Sequence, residues 1–447
     1  MGYLVYSYCL NIGAHVKSVI EVYYNGGWIP AAEFEPTGAS PYAARFEYLT
    51  EYVFSADNPI PVSLAYPVTG EVSLSTDDGA AAALGPAFLL DLVPQGLGRR
   101  YLAGVLGLNP LLDENDLFFA QYGAYNPIGH LRLDTAVDFY RERVAHLMDA
   151  QLQGFRIEDL RTQDFRDYLV AHDMMAAGST GVQGAAPKYL LTQDSDGLWF
   201  PDVALPDERA AKHWLVKLPR GNHSTDRDVL RNEAAYLRVA RYCGIRSGEE
   251  PRFEDDMLFF ARFDRSVDAH GVQRLHQESA ASLSGLLGFG MSVSLFDLVA
   301  GVRRHVRDAT GETLEFLKRD VLNVAMRNPD NHARNTAVQL LPDGTVQLTP
   351  LFDFAPMYMD REFVTRGCHW RIGKGPELER WDQIICEITD DETERRVLTQ
   401  GLRDFQPTVE QLPQIMRDCG VDDNIITACE RHIERQAARI GEMTGHG

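Results

Sequence analysis

Asp330, Asn335 and Asp353 have the types and spacing that phosphoryl transfer needs. They lie in Asn328-Pro329-Asp330-Asn331-His332-Ala333-Arg334-Asn335 and in Leu351-Phe352-Asp353-Phe354-Ala355. Kinase-type sites use an aspartate, an asparagine five residues on, and a second aspartate about one hairpin later. The first aspartate can orient an acceptor hydroxyl and take its proton. The asparagine and the second aspartate can hold metal ions that bridge nucleotide phosphates, so the order points to ATP-dependent phosphoryl transfer. His332, inside the loop, has two readings: contact with a ligand, or a tie to a neighbouring carbonyl.

For these groups to meet, the chain between them must fold back. Thr336–Leu341 and Thr345–Thr349 are two short alternating runs around Pro342-Asp343-Gly344, which predicts a hairpin returning Asn335 and Asp353 to one end. Upstream, His213–Pro219 reads as a buried strand carrying Lys217, and Asp228–Tyr242 as an amphipathic helix carrying Glu233. A strand lysine held by a helix glutamate is how kinase folds aim an ammonium at nucleotide phosphates. A surface ion pair, with the lysine stem lying along the strand, is the alternative. Met257–Arg265 reads as a strand ending in charge, and backbone groups near Arg262 and Phe263 are placed to read an adenine edge. The small-residue stretch Ala176–Lys188 leads into a strand at Tyr189–Thr192. Such a loop either presents N–H groups to phosphates or is simply a flexible connection.

The net charge of −21 argues against autonomous DNA or RNA binding, though not against a partner that itself binds DNA. No run of eighteen apolar residues is present and the N-terminus lacks a signal-peptide pattern, so a cytoplasmic protein without a membrane span is expected. The six cysteines show no C-x-x-C spacing and read as free thiols. The tract Thr76–Ala83 reads as a mobile insertion. Strand-rich sequence precedes helix-rich sequence, including Leu295–Val302, Thr313–Met326, Asp391–Leu402, Val409–Asp418 and Asn424–Met443.

In this order the pieces resemble the HipA-type serine/threonine kinases, the toxin half of bacterial toxin–antitoxin pairs. The likeness runs from about Val19 to the C-terminus. It rests on His213–Pro219, Asn232-Glu233, Ala261–Arg265, Asp330–Asn335 and Leu348–Asp353. It implies an α+β, two-lobed protein-kinase-like fold, strand-rich first and mostly helical after. The expected division is an N-terminal subdomain over 1–135, an N-lobe over 136–265 and a helical C-lobe over 266–447. The resemblance implies that Asp330 is the base, with His332 beside it in the catalytic loop. Asn335 and Asp353 would hold Mg²⁺, and Lys217, held by Glu233, would meet the ATP phosphates. Arg262 and Phe263 would lie at the adenine, and Gly181, Gln183 and Lys188 in the phosphate loop. It further implies a protein substrate and a small DNA-binding antitoxin as partners.

Three departures stand out. Gln183 and Lys188 are five residues apart where the family pattern has two. Gly178 occupies the place of the family's autophosphorylated serine, leaving Ser179 and Thr180 beside it as candidates. Asn331 replaces a glycine, and asparagine also tolerates unusual backbone angles. A small-molecule kinase shares the Asp/Asn/Asp arrangement and no sequence feature excludes it. A catalytically silent protein that sequesters an antitoxin-like partner is the reading from another class; the intact Asp330, Asn335, Asp353 and Lys217 count against it.

Overall fold

The computed structural model describes residues 16–37, 41–54, 60–70, 73–74, 86–148, 154–172, 187–221 and 223–443. The tract at 76–83 and the stretch 176–186 lie outside them. The chain forms two compact units, one of 1–216 with 264–278 and 285–288, the other of 217–263, 279–284 and 289–447. Among the described residues, Cys243, Cys368, Cys419 and Cys429 are free, and no helix is long and apolar enough to cross a membrane.

The first unit opens with the antiparallel pair Ser18–Tyr24 and Gly27–Pro36. Asn25 and Gly26 both sit at positive φ (49° and 81°), the turn whose twist matches the flanking strands. Ala44–Tyr48 and Ser73–Leu74 extend this sheet on one edge and Leu131–Leu133 on the other. The apolar 86–106 stretch forms a 3₁₀ segment, Ala87–Leu92, and then a helix, Gly96–Leu106. Pro94, which cannot donate to a continuing helix, falls in the break. A second sheet places Lys188–Asp194 between Trp199–Pro201 and Ala210–Lys217.

The second unit is mainly helical. The Ser224–Tyr242 helix starts four residues earlier than its apolar pattern predicts, because His223 caps it by accepting from Thr225 N. Met257–Ala261 pairs with Arg252–Glu254. The strand expected over 257–265 ends at Ala261, and Arg265 begins a separate hairpin, Arg265–Asp268 with Gly271–Arg274, in the first unit. The acidic-turn hairpin forms as Ala337–Leu340 against Val346–Leu348, with Val338 opposite Leu348. Asp343 Oδ1 accepts from Thr345 N, and Gly344 takes φ +80°, which a side chain would strain.

The Ala309–Ala325, Glu392–Glu410 and Asp423–Gly441 helices supply much of this unit's core: Leu317, Val321, Leu322, Leu398, Leu402, Ile425, Ile433 and Ile440 are buried. Pro407 lies inside the second of them, and the segment read as one helix over 409–418 divides near Gln411. The Leu295–Arg303 helix is clamped to it by Arg303, whose Nη1 and Nη2 reach the two Glu394 carboxylate oxygens at 2.8 and 2.9 Å. The Arg303 bonds pull the Glu394 carboxyl down to about 2; burial opposes them, and Thr389 and Thr310 add to the effect.

A depressed folded pKa stabilises above the unfolded value and loses that contribution as pH falls through the folded one. Glu394→Gln is therefore expected to lower stability by about 1–3 kcal/mol near neutrality. The gap to the parent should close as pH drops from 4.5 toward 2. Urea unfolding at stepped pH measures it, and a gap that does not change with pH would contradict the assignment.

Candidate functional site

Apart from Lys188, the groups described next lie in the second unit. Lys217 ends its strand with 5% of its surface exposed, so its side chain is buried and does not run out along the surface. Its Nζ donates to Glu233 Oε1 at 2.5 Å and also to Asp353 Oδ1, and lies 5.2 Å from the centre of the Phe260 ring. Burial works against the ammonium, but the Asp353 and Glu233 carboxylates outweigh it and hold the lysine pKa above its ordinary value.

The Ser224–Tyr242 helix serves this arrangement twice. Glu233 and Tyr236 are three residues apart and share a face. Tyr236 packs against Phe354 with ring centroids 5.2 Å apart, while its hydroxyl donates to the Met326 carbonyl at 2.8 Å. Phe354 is fully buried and follows Asp353, which takes a left-handed φ of +50°. The buried ring thus anchors the strained turn that aims the Asp353 carboxylate at Lys217.

The segment from Leu348 to Leu351 that leads to this turn is held by two arginines. Arg246 donates to both Glu312 oxygens at 2.7 Å and to the Leu348 carbonyl at 2.8 Å. Arg319 donates to Glu315 at 2.9 Å and to the Thr349 carbonyl at 2.8 Å, and Leu351 N donates to Arg246 O at 2.9 Å.

The Asp330 loop begins where the Ala309–Ala325 helix stops, with Arg327 at φ +56°. Asn335 bends back on it: its N–H donates to His332 O at 2.9 Å and its Nδ2 to Asp330 O at 2.8 Å. His332 Nε2 stands 3.9 Å from Asp330 Oδ1, both side chains half-buried, so the ring faces the carboxylate. With Nδ2 spent, Asn335 Oδ1 is fixed as an acceptor; it is buried and takes no hydrogen bond. An amide oxygen of this kind is the sort of hard oxygen donor that Mg²⁺ takes. Asn328 Nδ2, 3.4 Å from the Asp353 carbonyl, links this loop to the Asp353 turn.

Arg262 is buried and Phe263 half-buried. The Phe263 ring packs on Phe352 at 6.0 Å, and the Phe263 carbonyl accepts from Gln339 Nε2 at 3.1 Å. Lys188 opens the Lys188–Asp194 strand of the first unit. Ser179, Thr180, Gly181 and Gln183 lie outside the described residues.

A family model, the HipA-like C-terminal domain, matches residues 180–419. The chain belongs to that family. A chain from the Shewanella oneidensis MR-1 toxin–antitoxin complex of HipA, HipB and operator DNA matches it with a TM-score of 0.59 at 15% identity. That match covers 94% of this chain and 96% of the other. The Helicobacter pylori proinflammatory kinase CtkA matches more distantly, with a TM-score of 0.34 at 12% identity over 53% of this chain and 90% of that one. No curated protein matches the sequence. The fold is α+β and kinase-like, as the motif order implies.

Sequence reasoning missed the fastening of the segment beyond Asp353. Tyr358 lies under the Arg327 guanidinium at 3.9 Å, Arg220 Nη1 donates to Asp360 at 3.0 Å, and Arg366 donates to Asp320. One signal was available. Asp320 is an acid on the otherwise apolar stripe of its helix, three residues after Leu317 and next to Val321.

Because Phe354 fills the space beside Tyr236, Phe354→Ala is expected to cost about 3–5 kcal/mol of stability. Urea unfolding of parent and variant would show it; a loss under 1 kcal/mol would mean that the ring does not anchor the turn.

Proposed function

We propose that this chain is a Mg²⁺- and ATP-dependent serine/threonine protein kinase of the HipA type, acting as the toxin of a toxin–antitoxin pair in the cytoplasm. What supports the reading most is the buried Lys217–Glu233–Asp353 cluster, joined through Asn328 to a loop carrying Asp330 and a donor-free Asn335 oxygen.

On this reading Lys217, steadied by Glu233, meets the nucleotide phosphates. Asn335 Oδ1 and the Asp353 carboxylate would hold Mg²⁺, which when bound would supply positive charge against the phosphates. Asp330 orients the acceptor hydroxyl and accepts its proton, with His332 facing the carboxylate. Arg262 and Phe263 border the adenine, and Gly181, Gln183 and Lys188 form the phosphate loop. A phosphate on Ser179 or Thr180 would place negative charge in that loop and weaken ATP binding.

The matched Shewanella structure holds HipA, HipB and operator DNA, and family membership makes a small DNA-binding antitoxin the expected partner here. The charge of −21 predicts no direct nucleic-acid contact, but the operator DNA in the matched structure lends that expectation no support.

The experiment is label transfer from γ-labelled ATP into proteins of a bacterial lysate. Asp330→Ala and Asp353→Ala are expected to lower incorporation by about 10²–10⁴-fold while the variants stay folded. Undiminished labelling by both would refute the assignment. Mass spectrometry of the 176–188 peptide after incubation with Mg-ATP tests Ser179 and Thr180; an unmodified peptide would remove autophosphorylation from the reading.

A further inference from the structure

Asp320 is a buried carboxylate outside the proposed chemistry, ten residues before Asp330, with 2% of its surface exposed. Three side chains donate to it. Asn331 Nδ2 reaches Oδ1 at 3.0 Å. Arg366 Nη2 reaches both oxygens at 2.7 and 2.8 Å. Trp370 Nε1 reaches Oδ2 at 2.8 Å. A charge this deep persists only where it is paired and hydrogen-bonded. Arg366 supplies the opposite charge, and burial of its guanidinium is outweighed by Asp320, which holds it protonated.

What these donors belong to gives the cluster its meaning. Asn331 is the residue after Asp330, so its bond to Asp320 sets the peptide on which the proposed base sits. Arg366 and Trp370 lie in the segment that follows Asp353. Arg366 Nε also holds the Cys368 carbonyl at 2.8 Å, and Trp370 is packed between Phe296 and Phe316 at 5.0 and 6.0 Å. None of these bonds involves Lys217, Glu233 or Asn335. One carboxylate therefore fixes the base loop and the segment beyond Asp353 to the same helix, apart from the lysine cluster.

We propose that Asp320 is a positioning residue for the acceptor side of the reaction: through Asn331 it sets the Asp330 carboxylate toward the incoming hydroxyl, and it leaves nucleotide binding alone. The inference rests on the reading of Asp330 as the base.

The test compares Asp320→Asn, Asn331→Ala and the double variant with the parent. Label transfer into lysate proteins at saturating Mg-ATP gives the rate, and a fluorescent ATP analogue with Mg²⁺ gives nucleotide affinity. Each single variant is expected to lose about ten-fold or more in rate, with affinity within about two-fold of the parent. The double variant should be no slower than the slower of the two single variants, because both changes act on one link.

Parent-like rates, losses that multiply, or affinity falling in step with rate would each overturn the proposal. Should Asp320→Asn not fold, Asn331→Ala still decides, since a parent-like rate from it overturns the idea. A parent that labels nothing removes the kinase reading itself, and this proposal with it. Labelling by the parent together with parent-like variants removes only the role of Asp320.

Discussion

Lys217 places an ammonium where water hardly reaches, and most of what surrounds it follows from that. Burying such a charge without partners costs several kcal/mol, so the group stays charged only because two carboxylates flank it. Glu233 comes from a helix that follows in sequence; Asp353 comes from more than a hundred residues away. The long-range partner is the demanding one. It requires a hairpin to return the chain, a left-handed turn at φ +50°, and a buried phenylalanine to keep that turn from relaxing. The helix that provides Glu233 also provides Tyr236, the surface on which that phenylalanine rests. Displacing the helix would therefore disturb both partners of the ammonium at once.

The same logic explains the ionic network around the segment from Leu348 to Leu351. Arg246, Glu312, Glu315 and Arg319 put no side chain on Lys217. Their bonds fix the segment's carbonyls and N–H groups, so the register that delivers Asp353 is set two and more residues before the turn. A slip of one residue would reverse the facing of every side chain after it. Polar bonds along a buried backbone specify register more sharply than apolar packing, which tolerates small shifts.

The parts of this arrangement that were legible in sequence are those written in local spacing. The Asp330-to-Asn335 interval, the Asp-Gly turn of the hairpin, the lysine in an apolar strand and the glutamate on the next helix are all short-range patterns. The strand ending at Ala261 rather than Arg265 was not legible. Its last residues are charged, but nothing in the sequence says where pairing stops and the next hairpin begins. Asp320 and Arg366 are forty-six residues apart and meet only because of tertiary packing. The acid on the apolar stripe hinted that a partner exists, not which one. Gly181 and Gln183, proposed for the phosphate loop, fall outside the described residues, so their spacing to Lys188 is read from sequence.

On the proposed reading, the lysine cluster also constrains how a nucleotide could enter. Glu233 and Asp353 flank the Lys217 ammonium, and Asp330 adds a third carboxylate on the loop that Asn328 joins to the Asp353 turn, so these four groups together are net negative. A triphosphate adds more of the same sign and on electrostatic grounds alone would be repelled. Lys217 cannot compensate while both its carboxylate partners hold it. On the proposed reading, Asp353 would give up its bond to the ammonium when phosphates bind and would serve instead as a ligand for a divalent cation. Glu233 then keeps Lys217 charged and in place through the change. That gives the two acids different tasks despite their similar distances: one is a permanent support and the other a partner that switches. The geometry agrees with this division. Glu233 sits in the middle of a nineteen-residue helix, whereas Asp353 sits in a strained turn with 14% of its side chain exposed.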